Sequence, residues 1–368
     1  MLFLHLGDVT GSSRALRQLR VLGAMGLRVA AVGFGAPRDA AALPDGVDYT
    51  ALRMPAGRGP RLFLAAHRAV RRAARARPAR VVLASDLHVL PAAAAAAHAH
   101  GARLAYDARE WYAGLDAGRP AVGRVWAAVE ARYAPRCAAV FAVNDALADR
   151  LAAERRIARP TVVRNLSDAP RGVRTGALRR LVGLPEGAPL VLYQGLLRAG
   201  RGLPHLVRAL EDVPGATLVL IGEGPQEAEL RALAGEHLAG RVHAVPFTPP
   251  AALLALTPDA DLGAAAFEAT AESVRLSLPN KLFEYAAADV PVLAGAGIVP
   301  LRAAVEAHGA GVVADPEDSV ALAAAIRRGL DPAARPAFLA GLDRLRAAFR
   351  WEDDAERFRS AVARLLAR

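Results

Sequence analysis

The sequence predicts an α/β fold: two facing Rossmann-like domains, each built on a parallel sheet. Three observations carry this reading. Short apolar runs alternate with helical segments along most of the chain. Gly-rich turns follow several of those runs, as at Gly7–Ser13 and Gly195–Gly202. A Pro-, Gly- and Arg-rich stretch from Ala169 to Gly187 interrupts the pattern, which then starts afresh. The 368 residues suffice for two domains of ordinary size, and a hydrophobic content of 54% can fill two cores. The expected domains are 1–170 and 171–350.

In the first half, Leu2–Leu6 reads as a strand, Arg14–Met25 as a helix closed by Gly26, and Arg28–Phe34 as the next strand. The glycines between them miss the dinucleotide fingerprint, so no NAD is placed here. Gly7 and Gly11 are either tight-turn residues or contacts to a bound acceptor or donor. Pro60–Arg77 reads as a basic helix with Leu62, Phe63, Ala66 and Val70 inward. Its Arg68, Arg71, Arg72 and Arg75 form a solvated face or a patch for a membrane or polyanion.

Val81–Ala84 is a strand ending at Asp86 and His88, and Pro91–His100 a helix. Arg103–Tyr106 is a strand that delivers Asp107, Arg109 and Glu110 at its carboxyl end. Carboxyl ends of strands line the ligand crevice of open α/β sheets. Asp107, Arg109 and Glu110 there either orient an acceptor hydroxyl or phosphate, or cap a helix. Asp86 and His88 hold the equivalent place one strand earlier, with a structural role the alternative. Helices at Pro120–Tyr133 and Asp145–Glu154 flank a strand at Ala139–Val143. A further strand from Thr161 leads to Asn165 and Asp168.

In the second half, Leu190–Tyr193 is a strand, followed by a loop containing Gly195, Arg198 and Arg201 and a helix at Leu203–Leu210. Glycines let backbone N–H groups approach an anion, and arginine matches phosphate with a fork of donors. Thr217–Ile221 is a strand that ends in Gly222-Glu223-Gly224-Pro225, before the helix Gln226–Ala234. Strands at Val242–Val245, Leu262–Ala265, Val292–Ala294 and Val312–Ala314 complete the sheet. Helices follow at Ala321–Arg328, Arg335–Phe349 and Trp351–Leu366.

Ser277–Leu293 reads as a turn, a short helix with Pro279 in its first turn, and a buried strand. Asn280 and Lys281 lie near the positive end of that helix, and Glu284 shares a face with Lys281. A cation and a carboxylate so placed suit a phosphate and a vicinal diol, the pair that a nucleotide-sugar offers. An ordinary surface ion pair is the alternative.

Composition narrows the function classes. The net charge of +11 is uneven: residues 1–174 hold 27 Arg against 13 Asp and Glu, and the remainder 20 basic against 23 acidic residues. A basic half implies an anionic partner. Aromatic residues make up 5% and do not interleave with the arginines, which argues against a nucleic-acid surface. Lys281 is the only lysine among 47 basic residues. Cys137 is the only cysteine, so no intrachain disulfide forms, which fits a reducing cytoplasm. The N-terminus reads as a strand rather than a signal peptide, and no apolar run is long enough to span a bilayer.

Tyr193-Gln194-Gly195 with Arg201-Gly202, then Gly222-Glu223-Gly224-Pro225, then Leu278-Pro279-Asn280-Lys281-Leu282-Phe283-Glu284-Tyr285 with Pro291-Val292, resemble the donor domain of family 4 retaining glycosyltransferases. That family has the GT-B architecture, and the resemblance covers nearly the whole chain. Asp107-Ala108-Arg109-Glu110 looks like its acceptor-domain Asp-x-His-Glu segment. Val163-Arg164-Asn165 with Asp168 resembles its strand end before the linker. Trp351 with Glu352 resembles the start of its last helix, which implies that 351–368 crosses back onto the first domain.

The resemblance implies a cytoplasmic enzyme, peripheral on the inner membrane face. It would transfer sugar from a nucleotide-sugar to a glycan, glycolipid or polyprenyl-linked acceptor in surface polysaccharide synthesis. Glu284 would hold the ribose hydroxyls, and Arg201 and Lys281 the diphosphate, with no cofactor and no metal. The donor set so implied is Gly195, Arg198, Arg201, Gly222, Glu223, Gly224, Glu272, Asn280, Lys281 and Glu284. The catalytic set adds Asp107, Arg109 and Glu110, and the acceptor set is Gly11, Asp86, His88, Asp107 and Arg109. Three positions depart from the family pattern. Leu276 stands where the first of two paired glutamates belongs, leaving Glu268, Glu272 or a backbone amide to replace it. Leu196 stands in place of a loop Arg, for which Arg198 substitutes, and Arg109 replaces a His. A GT-B-like sugar-nucleotide epimerase and a non-catalytic nucleotide-sugar binder are the alternatives.

Overall fold

The structure, a computed structural model, describes residues 1–57, 59–115, 118–166 and 171–367. Asp168 and the first residues of the expected linker lie outside the described residues. The chain divides into two compact units: Met1–Asn165 with Trp351–Arg368, and Leu166–Arg350.

The first unit carries a seven-stranded parallel sheet. Its strands are β1 (Leu2–Leu4), β2 (Val29–Phe34), β3 (Val47–Leu52), β4 (Val81–Ala84), β5 (Arg103–Ala108), β6 (Ala139–Ala142) and β7 (Thr161–Val162). They lie in the order β3-β2-β1-β4-β5-β6-β7. The chain direction across the sheet therefore reverses between β1 and β4, and the crevice at that point is the ligand position of doubly wound sheets. Strands β1 and β4 are apolar throughout and fully covered, as parallel strands with helices on both faces require. The helix Trp351–Ala367 packs Phe358 onto Phe141 of β6, ring centroids 5.0 Å apart. Arg164 also ties β7 to that helix through Asp354, at 3.3 Å.

The second unit carries six parallel strands: β8 (Leu190–Gln194), β9 (Thr217–Ile221), β10 (Val242–Val245), β11 (Leu262–Ala265), β12 (Val292–Gly295) and β13 (Gly311–Ala314). Their order, β10-β9-β8-β11-β12-β13, places its switch point between β8 and β11. The helix Asn280–Ala287 lies on this sheet through the buried Leu282, Phe283 and Tyr285. Tyr285 donates its hydroxyl to the carbonyls of Leu192 and Ala264, at 3.0 and 3.3 Å, which pins the helix over β8 and β11.

Several elements differ from the expectation. Strand β3 was not expected, because Val47–Leu52 is a half-exposed edge strand without a continuous apolar run. The helix Val299–His308 was not expected either, though Pro300 near its start and Gly309 at its cap mark it. Pro279 precedes the helix, with extended backbone, instead of lying in its first turn. No helix among the described residues is long and apolar enough to cross a membrane.

Candidate active site

The residues expected to bind a donor gather at the switch point of the second sheet. Strand β8 ends in Gln194, and the loop after it runs from Gly195 to Gly202. Gly195 has φ +132°, a conformation natural only to glycine. A Cβ there would meet Lys281 Nζ at 2.7 Å, so the lysine lies directly against the bare backbone. The turn after β9 closes on the same loop, where Leu197 donates its N–H to the Glu223 carbonyl at 2.8 Å. A Cβ on Gly222 would fall 2.0 Å from the Gly195 carbonyl oxygen, and one on Gly224 2.1 Å from that of Leu197. These two glycines thus serve loop-to-loop packing, where contact with a donor was expected.

Two cations share this site. Arg201 lies 4.4 Å over the Phe267 ring, and Lys281 Nζ 5.7 Å from the Tyr193 ring. Burial pushes Lys281 below its ordinary value, Glu284 opposing and the charge of Arg201 adding to the shift. Burial likewise lowers Arg201, Tyr193 opposing and Arg198 adding. Tyr193 is pushed up to about 12 by burial, against the pull of Arg201 and Arg198. Like charges held together out of water raise each other's cost, and an anion between them removes it.

Glu284 reaches the site through a relay that the sequence reading missed. Its Oε2 accepts from Gln194 Nε2 at 2.7 Å, and Gln194 Oε1 accepts from the Thr257 hydroxyl at 2.9 Å. Gln194 is fully buried, so this chain fixes the carboxylate's orientation. The signal was a polar residue at the end of a wholly apolar strand. Glu268 accepts the Gly202 N–H at 3.0 Å, which puts its carboxylate beside Arg201 on the same loop. Glu272 opens the short helix Glu272–Arg275 on the exposed surface, and Asn280 is the exposed first residue of its helix. Arg198 and Glu223 are exposed.

The acceptor candidates gather at the switch point of the first sheet, with one change of role. Asp107 is completely buried. Arg14 grips it with Nε at 2.8 Å and Nη2 at 2.5 Å, and Gln18 adds a bond at 3.0 Å. Burial opposes its ionisation, but Arg14, then Arg109 and Gln18, outweigh this and hold it below the ordinary value. Asp107 thus has no face for a substrate, contrary to expectation; it holds cations in place. Arg109 is the group it supports, with Nε 3.9 Å from Asp107. Arg109 donates to Ser85 at 2.9 Å and to Ser12 at 3.3 Å, bridging the ends of β4 and of the β1 loop. Arg14, Gln18, Ser12 and Ser85 were not singled out from sequence.

His88 Nδ1 and Asp86 Oδ1 are in direct hydrogen-bonding contact. Burial opposes the ionisation of Asp86, but hydrogen bonding and charge from His88 outweigh it and hold its pKa down. Phe63, Trp126 and Tyr112 surround the His88 ring with centroids at 5.4, 4.5 and 5.5 Å. Phe63 is not inward as expected but 41% exposed, because its ring covers His88 instead of the core. Gly11 lies exposed in a single 3-10 turn where an added Cβ meets ordinary contact, so its glycine identity is not required there. Glu110 is exposed. Asn165 accepts from Arg17 at 2.8 Å, and Arg17 lies 5.8 Å over the Trp351 ring, so these motif residues hold the first unit together.

Known proteins share the two-sheet fold. Residues 10–166 match the family model of the glycosyl transferase 4-like domain, and residues 188–331 that of the glycosyl transferases group 1. Among solved structures, the chain is similar to sucrose-phosphate synthase from Thermosynechococcus elongatus, at 20% identity and a TM-score of 0.78 over 100% of both chains. It is similar to HepE from Anabaena in complex with UDP, at 18% identity and a TM-score of 0.73, again over 100% of both. WaaG, a glycosyltransferase involved in lipopolysaccharide biosynthesis, is 15% identical with a TM-score of 0.68, over 96% of this chain and 97% of its own. No curated protein sequence matches the chain.

Proposed function

Because the chain belongs to the GT-B glycosyltransferases, its two halves matching the 4-like and group 1 families, we propose that it transfers sugar from a nucleotide-sugar with retention at the anomeric carbon. The acceptor is a glycan, glycolipid or polyprenyl-linked saccharide in surface polysaccharide synthesis. The observation that carries this reading is the pair of cations, Arg201 and Lys281, held together beside the bare backbone of Gly195. A diphosphate is the group that suits two adjacent cations at a switch point. HepE, solved with UDP, and WaaG, involved in lipopolysaccharide biosynthesis, support the donor class and the setting.

In this reading Glu284, oriented by Gln194, accepts hydrogen bonds from the ribose hydroxyls. Arg201 and Lys281 neutralise the charge that builds on the leaving diphosphate as the bond from anomeric carbon to phosphate oxygen breaks. The acceptor oxygen attacks from the same face, and its proton passes to the leaving phosphate oxygen. No side-chain base and no metal is required by that route. Glu268 takes the place of the missing first glutamate, and Arg109 and His88 position the acceptor.

The exposed Phe63 and Leu64 next to Arg61 and Arg68 support peripheral attachment to an anionic membrane. Residues 53–80 hold nine arginines and no acid. Proton NMR of products from a panel of nucleotide-sugars tests the function. Transfer with the donor's anomeric configuration kept is expected; an inverted product, or an epimerised nucleotide-sugar, contradicts it.

A further inference from the structure

The first unit has a second polar feature on the other edge of its sheet, away from the switch point. At the amino ends of β5, β6 and β7 opens a pocket of about 710 Å³, within the size range of small-molecule sites. Arg103, Arg156, Arg159 and Arg364 line it, and among the described residues no Asp or Glu does. Pro135, Ile157 and Leu365 supply apolar wall. Cys137 adds only a neutral wall, since burial pushes its thiol up to about 12.

The four arginines are not equally engaged. Arg159 pairs with Asp145 and Asp149, at 2.8 and 2.6 Å. Arg103 donates to the Leu365 carbonyl at 2.6 Å. The guanidinium groups of Arg156 and Arg364 have no hydrogen bond or ion pair among the described residues. Both follow or end helices, Asp145–Arg155 and Trp351–Ala367, where a cation complements the helix dipole. That effect explains a basic residue at either helix end. It does not explain why both converge with Arg103 on one cavity whose walls, among the described residues, carry no acid.

Arg156 also stands at φ +51°, one of two non-glycine residues with positive φ among the described residues. Such a helix cap is ordinarily glycine, because a side chain is strained there. The strain is retained at the position that brings a guanidinium to the pocket wall, which is where a functional constraint is expected. We infer that this pocket binds a phosphate-bearing anion with an apolar body, at a site separate from the sugar-transfer site. Either a soluble phosphate compound or a phospholipid headgroup offers that chemistry.

Inorganic pyrophosphate, titrated by calorimetry into the Arg201→Ala, Lys281→Met double variant, reads this site without the donor cations. Binding is expected to persist there and to weaken at least about tenfold on adding Arg156→Gly with Arg364→Ala. Arg156→Gly is expected to leave Tm unchanged or higher, since glycine suits its backbone, so loss of binding is not loss of fold. Sedimentation with phosphatidylglycerol vesicles forms the second arm, and a loss there on the same two substitutions assigns the site to a headgroup. If neither pyrophosphate nor vesicle binding responds to them, the inference is wrong.

Discussion

Lys281 Nζ occupies the place that a side chain on Gly195 would take, 2.7 Å from where its Cβ would be. The two residues come from different elements, one directly following β8 and the other in the first turn of the helix Asn280–Ala287. Their contact brings the ammonium to the bare backbone of a loop that also carries Arg201.

Gly195→Ala therefore strains the backbone at φ +132° and drives the lysine from its place. Because the ammonium is the far end of a flexible chain, the fold survives and binding suffers. Calorimetric affinity for the nucleoside diphosphate that binds the parent is expected to fall about tenfold, with Tm lowered by only a few degrees, about 1 kcal/mol in stability.

The relay from Thr257 through Gln194 to Glu284 predicts a change in specificity. Glu284→Ala is expected to remove the preference for a ribonucleotide over its 2′-deoxy counterpart. Gln194→Leu, which removes only the orienting amide, is expected to reduce that preference by about half on a free-energy scale, a typical hydrogen bond's 0.5–1.5 kcal/mol. Competition of UDP against dUDP, or the matching pair for the preferred base, measures both.

The lowered pKa of Lys281 gives a signed pH dependence. The cation is lost as pH rises through a value below its ordinary 10.5, so diphosphate affinity falls on the alkaline side before that pH. Lys281→Met removes this limb of the profile. Stability of the ligand-free protein runs the other way. The unfolded chain holds the proton more tightly than the folded one, so stability rises with pH between the lowered value and 10.5. Affinity titrations and chemical denaturation across pH 8–10.5 check the two limbs separately.

Asp107 serves as a buried counter-ion, with a distinct mutational signature. Asp107→Ala leaves Arg14 buried without its carboxylate and is expected to destabilise by about 3–5 kcal/mol. The double variant Arg14→Met with Asp107→Leu is expected to recover most of that stability, since a buried ion pair can be exchanged for apolar packing. If Asp107 instead touched substrate, Asp107→Ala would lower activity with little change in stability. Denaturation curves and initial rates of the same proteins separate the two.

Much of the fold was legible because apolar runs at strand spacing and Gly-rich turns are local signals. Strand β3 escaped for the converse reason: as an edge strand it alternates weakly and is half exposed. Lys281 and Glu284 could be singled out because three-residue spacing on a short helix is visible in sequence. Arg14, Gln18 and Ser85 were not, since each acquires its role only when the sheet brings it to Asp107 or Arg109. Asp107 shows the same limit from the other side. Its position at a strand's carboxyl end was legible, but its complete burial under Arg14 was not. Gly222 and Gly224 looked like a ligand-facing turn, and only the approach of the two loops reveals their packing role.

On the proposed function, Arg201 and Lys281 together hold the diphosphate of a nucleotide-sugar. Calorimetric titration of UDP, GDP and ADP into the parent protein, Arg201→Ala and Lys281→Met tests it most directly. At least one diphosphate is expected to bind the parent, and each substitution to weaken it at least about tenfold, with the corresponding nucleoside unaffected. Absence of binding by all three, or affinity unchanged in both variants, contradicts it.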